Sequence, residues 1–132
     1  MNYLIDTHYL LWALIEPTKI DKKAVKILED EEHVKYVSSV SHWEISLKYA
    51  LGKLELRGTT PDEILETSIE CGFELLSLSA SDAASYYQLP KLNNHKDPFD
   101  RMLVWQCIQN DFTLLSADGR LSGYRKSGLK LV

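Results

Sequence analysis

Only two cysteines occur among the 132 residues, Cys71 and Cys107, each alone on an apolar segment and with no CxxC pair. That scarcity excludes the dense disulfide framework of a small secreted scaffold and argues against a thiolate zinc site; free thiols in a reducing cytoplasm are expected. No run of about twenty unbroken apolar residues is present, so no membrane span is expected. The opening MNYLIDTHYLLWALI is apolar enough to raise a signal peptide, but Asp6 and His8 interrupt it and no basic segment precedes it. Pro/Ser/Gly-rich stretches, low-complexity tracts and internal repeats are lacking too, and with them any sign of a linker or tail. Positive charge is scarce. Fifteen Lys and Arg face nineteen Asp and Glu, a net charge of -4, which argues mildly against a sequence-blind nucleic-acid binder, since those carry a basic excess.

What remains is ordinary for a soluble protein, with 45% hydrophobic and 26% charged residues. The length suits one domain spanning residues 1–132, enough for a real core and too little for two. Strands and helices alternate along it. YLI (3–5) reads as a strand and THYLLWALI as a helix; Ile20 to Glu31 is amphipathic, with Ala24, Ile27 and Leu28 in phase. HVKYVS (33–38) is β-branched and aromatic, hence a strand. Residues 40 to 51 form a helix stopping at Gly52. In TTPDEILETSIECG, Thr60 is the N-cap, Pro61 the first helical residue and Gly72 the stop. FELLSLS is a strand, SDAASYYQL a short helix ended by Pro90, and KLNNHK a polar loop. Asp97 opens the last long helix, before the strand FTLLS, the turn-rich DGRLSGYRKSG and a closing strand LKLV. Strands joined by such helices need crossovers, which predicts an α/β/α sandwich around a mostly parallel sheet.

Ligands of open parallel sheets bind beyond the carboxyl ends of the strands, at a switch in strand order. Asp6 directly follows YLI, and Asp118 follows LLS by one residue, so two acids stand on that edge. Each also has a plain role: Asp6 can cap the next helix, and Asp118 precedes glycine in a common turn pair. Glu44 can close a capping box with Ser41, although Ser38 and Ser39 offer earlier starts. Helical phase puts Val40, Trp43, Leu47, Ala50 and Leu51 on one face with Glu44 at its margin, and Lys48 one turn on as a possible partner. In HKDPFDRMLV, Asp97 and Pro98 make a good helix start. Asp100 falls in line with Leu103, Val104, Cys107 and Ile108, the expected buried stripe. Asp97 is therefore assigned to structure and Asp100 to function.

Several ionised carboxylates in one crevice repel one another, and burial costs several kcal/mol per ion unless something positive sits among them. No Lys or Arg shares the apolar phase with Glu44 and Asp100. Oxygen donors without an in-phase His or Cys point to Mg²⁺ or Mn²⁺. The histidines at 8, 33, 42 and 95 are scattered, and a lone histidine is more often a surface or hydrogen-bonded residue than a ligand.

At these residues the chain resembles the PIN domain, and more narrowly the VapC toxins of bacterial toxin-antitoxin pairs. The resemblance rests on YLIDTHYLLW, SSVSHWEIS, DPFDRMLVWQC and LLSADGRL, four motifs in the family's order over nearly the whole chain. It implies a metal-dependent ribonuclease with Asp6, Glu44, Asp100 and Asp118 as catalytic, metal-binding acids and Mg²⁺ or Mn²⁺ as cofactor. It implies cleavage that leaves a 5′-phosphate and a 3′-hydroxyl, supporting hydroxyls at Thr7 and Ser116, a homodimer, and an antitoxin that covers the acidic crevice. Lys48, Lys53, Arg101 and Arg120 lie near the motifs as candidate contacts to the RNA backbone, or as solvated surface. Trp43 and Trp105 read as core or dimer packing. Two rivals remain: a PIN-like module that binds RNA or protein without cutting, and a phosphotransfer enzyme with Asp6 as nucleophile, which would commonly want a second aspartate where His8 stands.

Overall fold

Leu4 and Ile5 are both fully buried, and because successive strand residues point to opposite faces they enter separate cores. Leu114 and Leu115 repeat the pattern one strand away. Apolar residues buried on both faces belong to the middle of a parallel sheet with helices above and below. The computed structural model, which describes residues 1–132, has that architecture. Five strands, β1 (Asn2–Ile5), β2 (Val34–Ser38), β3 (Glu74–Leu76), β4 (Thr113–Leu115) and β5 (Lys130–Leu131), pair in the order β3-β2-β1-β4-β5. Every pairing is parallel. The expected α/β/α sandwich is thus observed.

The helices are α1 (Thr7–Ile15), α2 (Lys22–Glu29), α3 (Ser39–Ala50), α4 (Pro61–Glu70), α5 (Ala80–Ser85) and α6 (Pro98–Asn110), with 3-10 segments at Pro17–Lys19, Tyr86–Gln88 and Gly119–Ser127. None is long and apolar enough to cross a membrane. The chain runs outward from β1 to β2 and β3, then returns to the other side of β1 with β4. The reversal opens a crevice between the carboxyl ends of β1 and β4. Asp6 leaves β1 there, its backbone N–H donating to Leu115 O at 3.1 Å.

Caps explain most helix starts. Asp6, Asp21, Thr60, Ser79 and Asp97 each accept a backbone N–H at the beginning of their helices. Asp21 starts α2 two residues later than periodicity alone suggests. Ser38, not Ser41, caps α3: its Oγ accepts from Val40 N at 3.0 Å and donates to Gln106 Oε1 at 2.6 Å. The Ser41–Glu44 capping box is therefore not formed, and Glu44 lies in the second turn.

The buried face of α3 departs from the expected one. Val40, Ser41, Glu44 and Ile45 are buried, whereas Trp43 is 63% exposed and Leu47 and Leu51 also face solvent. Phase alone gives the spread of a face and not which side meets the sheet; here the polar Ser41 and Glu44 are drawn inward by partners on α1 and α3. Trp43 packs edge-to-face with Phe99, ring centroids 5.2 Å apart. Trp105, in contrast, is core, with its indole N–H donating to Ser85 Oγ at 3.1 Å.

Candidate active site

Asp6 is the N-cap of α1 as well as an acid at the crevice; its Oδ1 accepts from Tyr9 N at 2.8 Å. Burial raises its pKa above the usual carboxylate range, opposed by hydrogen bonds from Ser116 and the Tyr9 backbone. Ser116 directly follows β4, and its Oγ also accepts the Asp118 backbone N–H at 3.1 Å. Thr7 has a different task from the one expected. Its hydroxyl donates to the buried Ser41 at 3.0 Å and pins α1 to α3.

Asp118 caps the 3-10 segment after β4 and binds Arg120 through Nε (2.9 Å) and Nη2 (2.7 Å). These hydrogen bonds hold its carboxyl below the usual value. Asp97 accepts from Phe99 N at 2.9 Å and starts α6, which places Asp100 on the first turn facing the crevice. Asp100 has no such support: burial first, then the charges of Asp97, Glu44, Asp6 and Asp118, push its pKa up to about 7. Asp6, Asp97, Asp100 and Asp118 line one cavity of about 360 Å³ together with His8, Trp12, Ala117 and Arg120.

Glu44 does not line this cavity. It is 2% exposed, with Oε2 in a close ion pair to Lys48 and Oε1 without a hydrogen-bond partner. Lys48 is thus a cation among the acids, the partner that the one-turn spacing from Glu44 suggested, its long stem reaching back from a half-exposed position. Burial opposes the charge on Lys48, but the Glu44 hydrogen bond and the charges of Glu44, Asp97 and Asp100 raise its pKa overall.

One expectation about the basic candidates needs revision. Arg101 is not available to a nucleic acid: 8% exposed, its guanidinium donates to the Tyr86 and Tyr124 hydroxyls and to the Leu89 and Pro90 carbonyls. Sequence proximity to Asp100 misled, because adjacent helical residues point about 100° apart. Of the other basic candidates, Arg120 faces the cavity, Lys48 is turned onto Glu44, and Lys53 is exposed beyond α3. Among the histidines, His95 is hydrogen-bonded, as expected of a lone histidine, and yet stands at the site. His95, in the loop before α6, is fully buried and places a ring nitrogen within 4.8 Å of carboxylate oxygens of both Asp100 and Asp118. No periodic pattern marks a loop residue; its position two residues before Asp97 was the available signal. Burial keeps its pKa below the ordinary histidine value.

The donor set suits a hard divalent cation. Glu44 leaves an orphaned, buried carboxylate oxygen, and Asp100 is raised first by burial and then by the charges of four neighbouring acids, both of which a bound cation would offset. Asp100 and Asp118 are close enough to share one ion, with Asp6 on the same cavity wall.

Fold and site together define an α/β/α protein whose acids gather at the strand-order switch. The PIN domain model matches residues 3–127, and the chain belongs to that family. Similar solved structures include VapBC2 from Rickettsia felis bound to a DNA fragment from their promoter, with TM-score 0.69 and 16% identity over 100% of this chain and 98% of that chain. VapBC-1 from nontypeable Haemophilus influenzae gives 0.65 and 15%, covering 100% and 97%. FitAcB from Neisseria gonorrhoeae gives 0.63 and 22%, covering 98% and 95%. At these identities the likeness is one of fold. Among curated proteins none matches the sequence.

Proposed function

We propose that this protein is a Mg²⁺- or Mn²⁺-dependent endoribonuclease and the toxin of a toxin-antitoxin pair. The observation that carries the reading is that Asp6, Asp100 and Asp118 line one cavity, with carboxylate oxygens of Asp100 and Asp118 within 4.8 Å of each other. Carboxylates packed this closely are stabilised together by a divalent cation. When bound, such an ion lowers the pKa of water and offsets charge developing on a phosphodiester. Asp100, Asp118 and Asp6 would hold it, and the nearby charge of Glu44 would add to its attraction.

The chain's own groups then do the rest. Ser116 fixes Asp6 and Asp118 relative to each other by one hydroxyl. Arg120, 58% exposed at the cavity, is placed to leave Asp118 for a substrate phosphate, and Lys53, exposed beyond α3, to contact the backbone. The toxin assignment draws on the family membership and on the VapBC and FitAcB neighbours. It carries with it a cognate antitoxin and a second copy of the chain as partners.

Incubating the protein with total RNA in Mg²⁺ or Mn²⁺, with and without EDTA, tests the reading. Cleavage giving 5′-phosphate ends, abolished by EDTA and reduced at least about 100-fold by Asp6→Asn or Asp100→Asn, is expected. RNA binding without cleavage by the wild type would instead support a non-cleaving module; cleavage indifferent to both substitutions would remove the site.

A further inference from the structure

Four residues link the interior of the protein to the acid site in a single chain of polar contacts. Arg101 Nη1 donates to the Tyr124 hydroxyl at 2.9 Å, and that hydroxyl lies 2.9 Å from His95 Nδ1. The other His95 ring nitrogen, Nε2, is buried without a hydrogen-bond partner and lies 3.6 Å from Asp100 Oδ2. All three relay side chains are buried, with Arg101 at 8%, Tyr124 at 0% and His95 at 1% exposure.

The direction of each contact follows from elementary donor and acceptor counts. A guanidinium has only donors, so the Tyr124 oxygen accepts from Arg101. The single Tyr124 proton then goes to its other neighbour, His95 Nδ1, which must be the unprotonated nitrogen. A neutral imidazole carries its proton on the remaining nitrogen. Nε2 is therefore an N–H, and it points at Asp100. If Nε2 were instead a bare metal-binding nitrogen, Nδ1 would carry the proton, and Tyr124 would face two donors with its own O–H left over in a buried site.

We propose that His95 is a positioning residue for the acid site, locked by Arg101 through Tyr124 as the Nε2–H tautomer so that it donates to Asp100 and fixes which carboxylate oxygen remains for a divalent cation. At 3.6 Å the contact is longer than a hydrogen bond, and a small rotation of the partly exposed Asp100 carboxylate closes it. Carboxylate ligands are commonly oriented by hydrogen bonds of this kind, and losing one weakens metal affinity about 10- to 100-fold. The inference rests on the cation reading above. It also gives the segment HKDPFDR a shared purpose: Asp97 starts the helix, Asp100 faces the cavity, and Arg101 and His95 act on Asp100 from behind.

Long-range ¹H–¹⁵N correlation spectra of the metal-free protein near neutral pH report the tautomer directly. The Nε2–H form is expected in the wild type, and an Nδ1–H form would overturn the relay. Calorimetric titration with Mg²⁺ and Mn²⁺ tests the consequence. His95→Leu should weaken binding about 10- to 100-fold, and His95→Gln, whose amide can offer an N–H at similar reach, should recover most of the loss. A purely structural histidine would show no such rescue. Unchanged affinity in His95→Leu overturns the role of His95 alone, whereas a wild type that binds neither ion overturns the cation reading. Should His95→Leu fail to fold, Tyr124→Phe retains the ring, removes the lock, and is expected to lose the single tautomer and part of the affinity; a wild-type spectrum and affinity in that variant would refute the proposal.

Discussion

Replacing Asp100 with asparagine should stabilise the metal-free protein while destroying its proposed activity. Asp100 titrates from about 7 in the fold instead of 3.8, through burial first and then the charges of Asp97, Glu44, Asp6 and Asp118. Between those two values the folded state holds a proton that the unfolded state has released. Stability attributable to this group is therefore full below pH 3.8 and falls as pH rises through about 7. The rise corresponds to about 4 kcal/mol, and solvent screening of a partly exposed carboxylate reduces it to roughly 2 kcal/mol. The amide of the variant mimics the neutral acid at every pH. In EDTA at pH 8 the variant should exceed the wild type by roughly 2 kcal/mol, a gain of about 5 to 10 °C in Tm for a domain of this size. The advantage should vanish near pH 4. Saturating Mg²⁺ or Mn²⁺ should reverse the order, because an ion at 100 times its Kd adds about 2.7 kcal/mol to the wild type and less to the variant. Calorimetric or dichroism melts across this pH series decide the matter, and a variant no more stable than wild type at pH 8 in EDTA would refute the electrostatic account.

Other outcomes follow from the same geometry. Lys48→Met leaves the buried Glu44 without its cation and should cost about 3 kcal/mol in chemical denaturation, with part of the loss restored by Mg²⁺ or Mn²⁺. Ser38→Ala removes both the α3 cap and the donor to Gln106 and should cost about 2 kcal/mol. Arg101→Met strips donors from two tyrosine hydroxyls and two carbonyls, a loss of about 3 to 5 kcal/mol read from urea midpoints. Trp43→Ala, at a 63% exposed site, should change the unfolding free energy by less than about 1 kcal/mol.

Legible in the residues alone were the segments that become strands and helices, the caps Asp6, Thr60 and Asp97, and the placing of Asp6 and Asp118 just after strands. These are local matters, set by alternation, helical period and the chemistry of Ser, Thr, Asp, Pro and Gly over a few residues. The Asp97–Pro98 start of α6 and the Thr60–Pro61 start of α4 were readable for that reason. Which side of α3 turns inward was settled only by packing, since both of its faces are partly apolar and the choice depends on Ser41 meeting Thr7 from another helix. The same holds for Arg101, whose partners come from the segment after α5 and from the 3-10 segment after β4, and for His95, whose loop gains meaning only when Tyr124 packs against it. A side chain's periodicity reports its own element, but its partners are fixed by contacts across tens of residues.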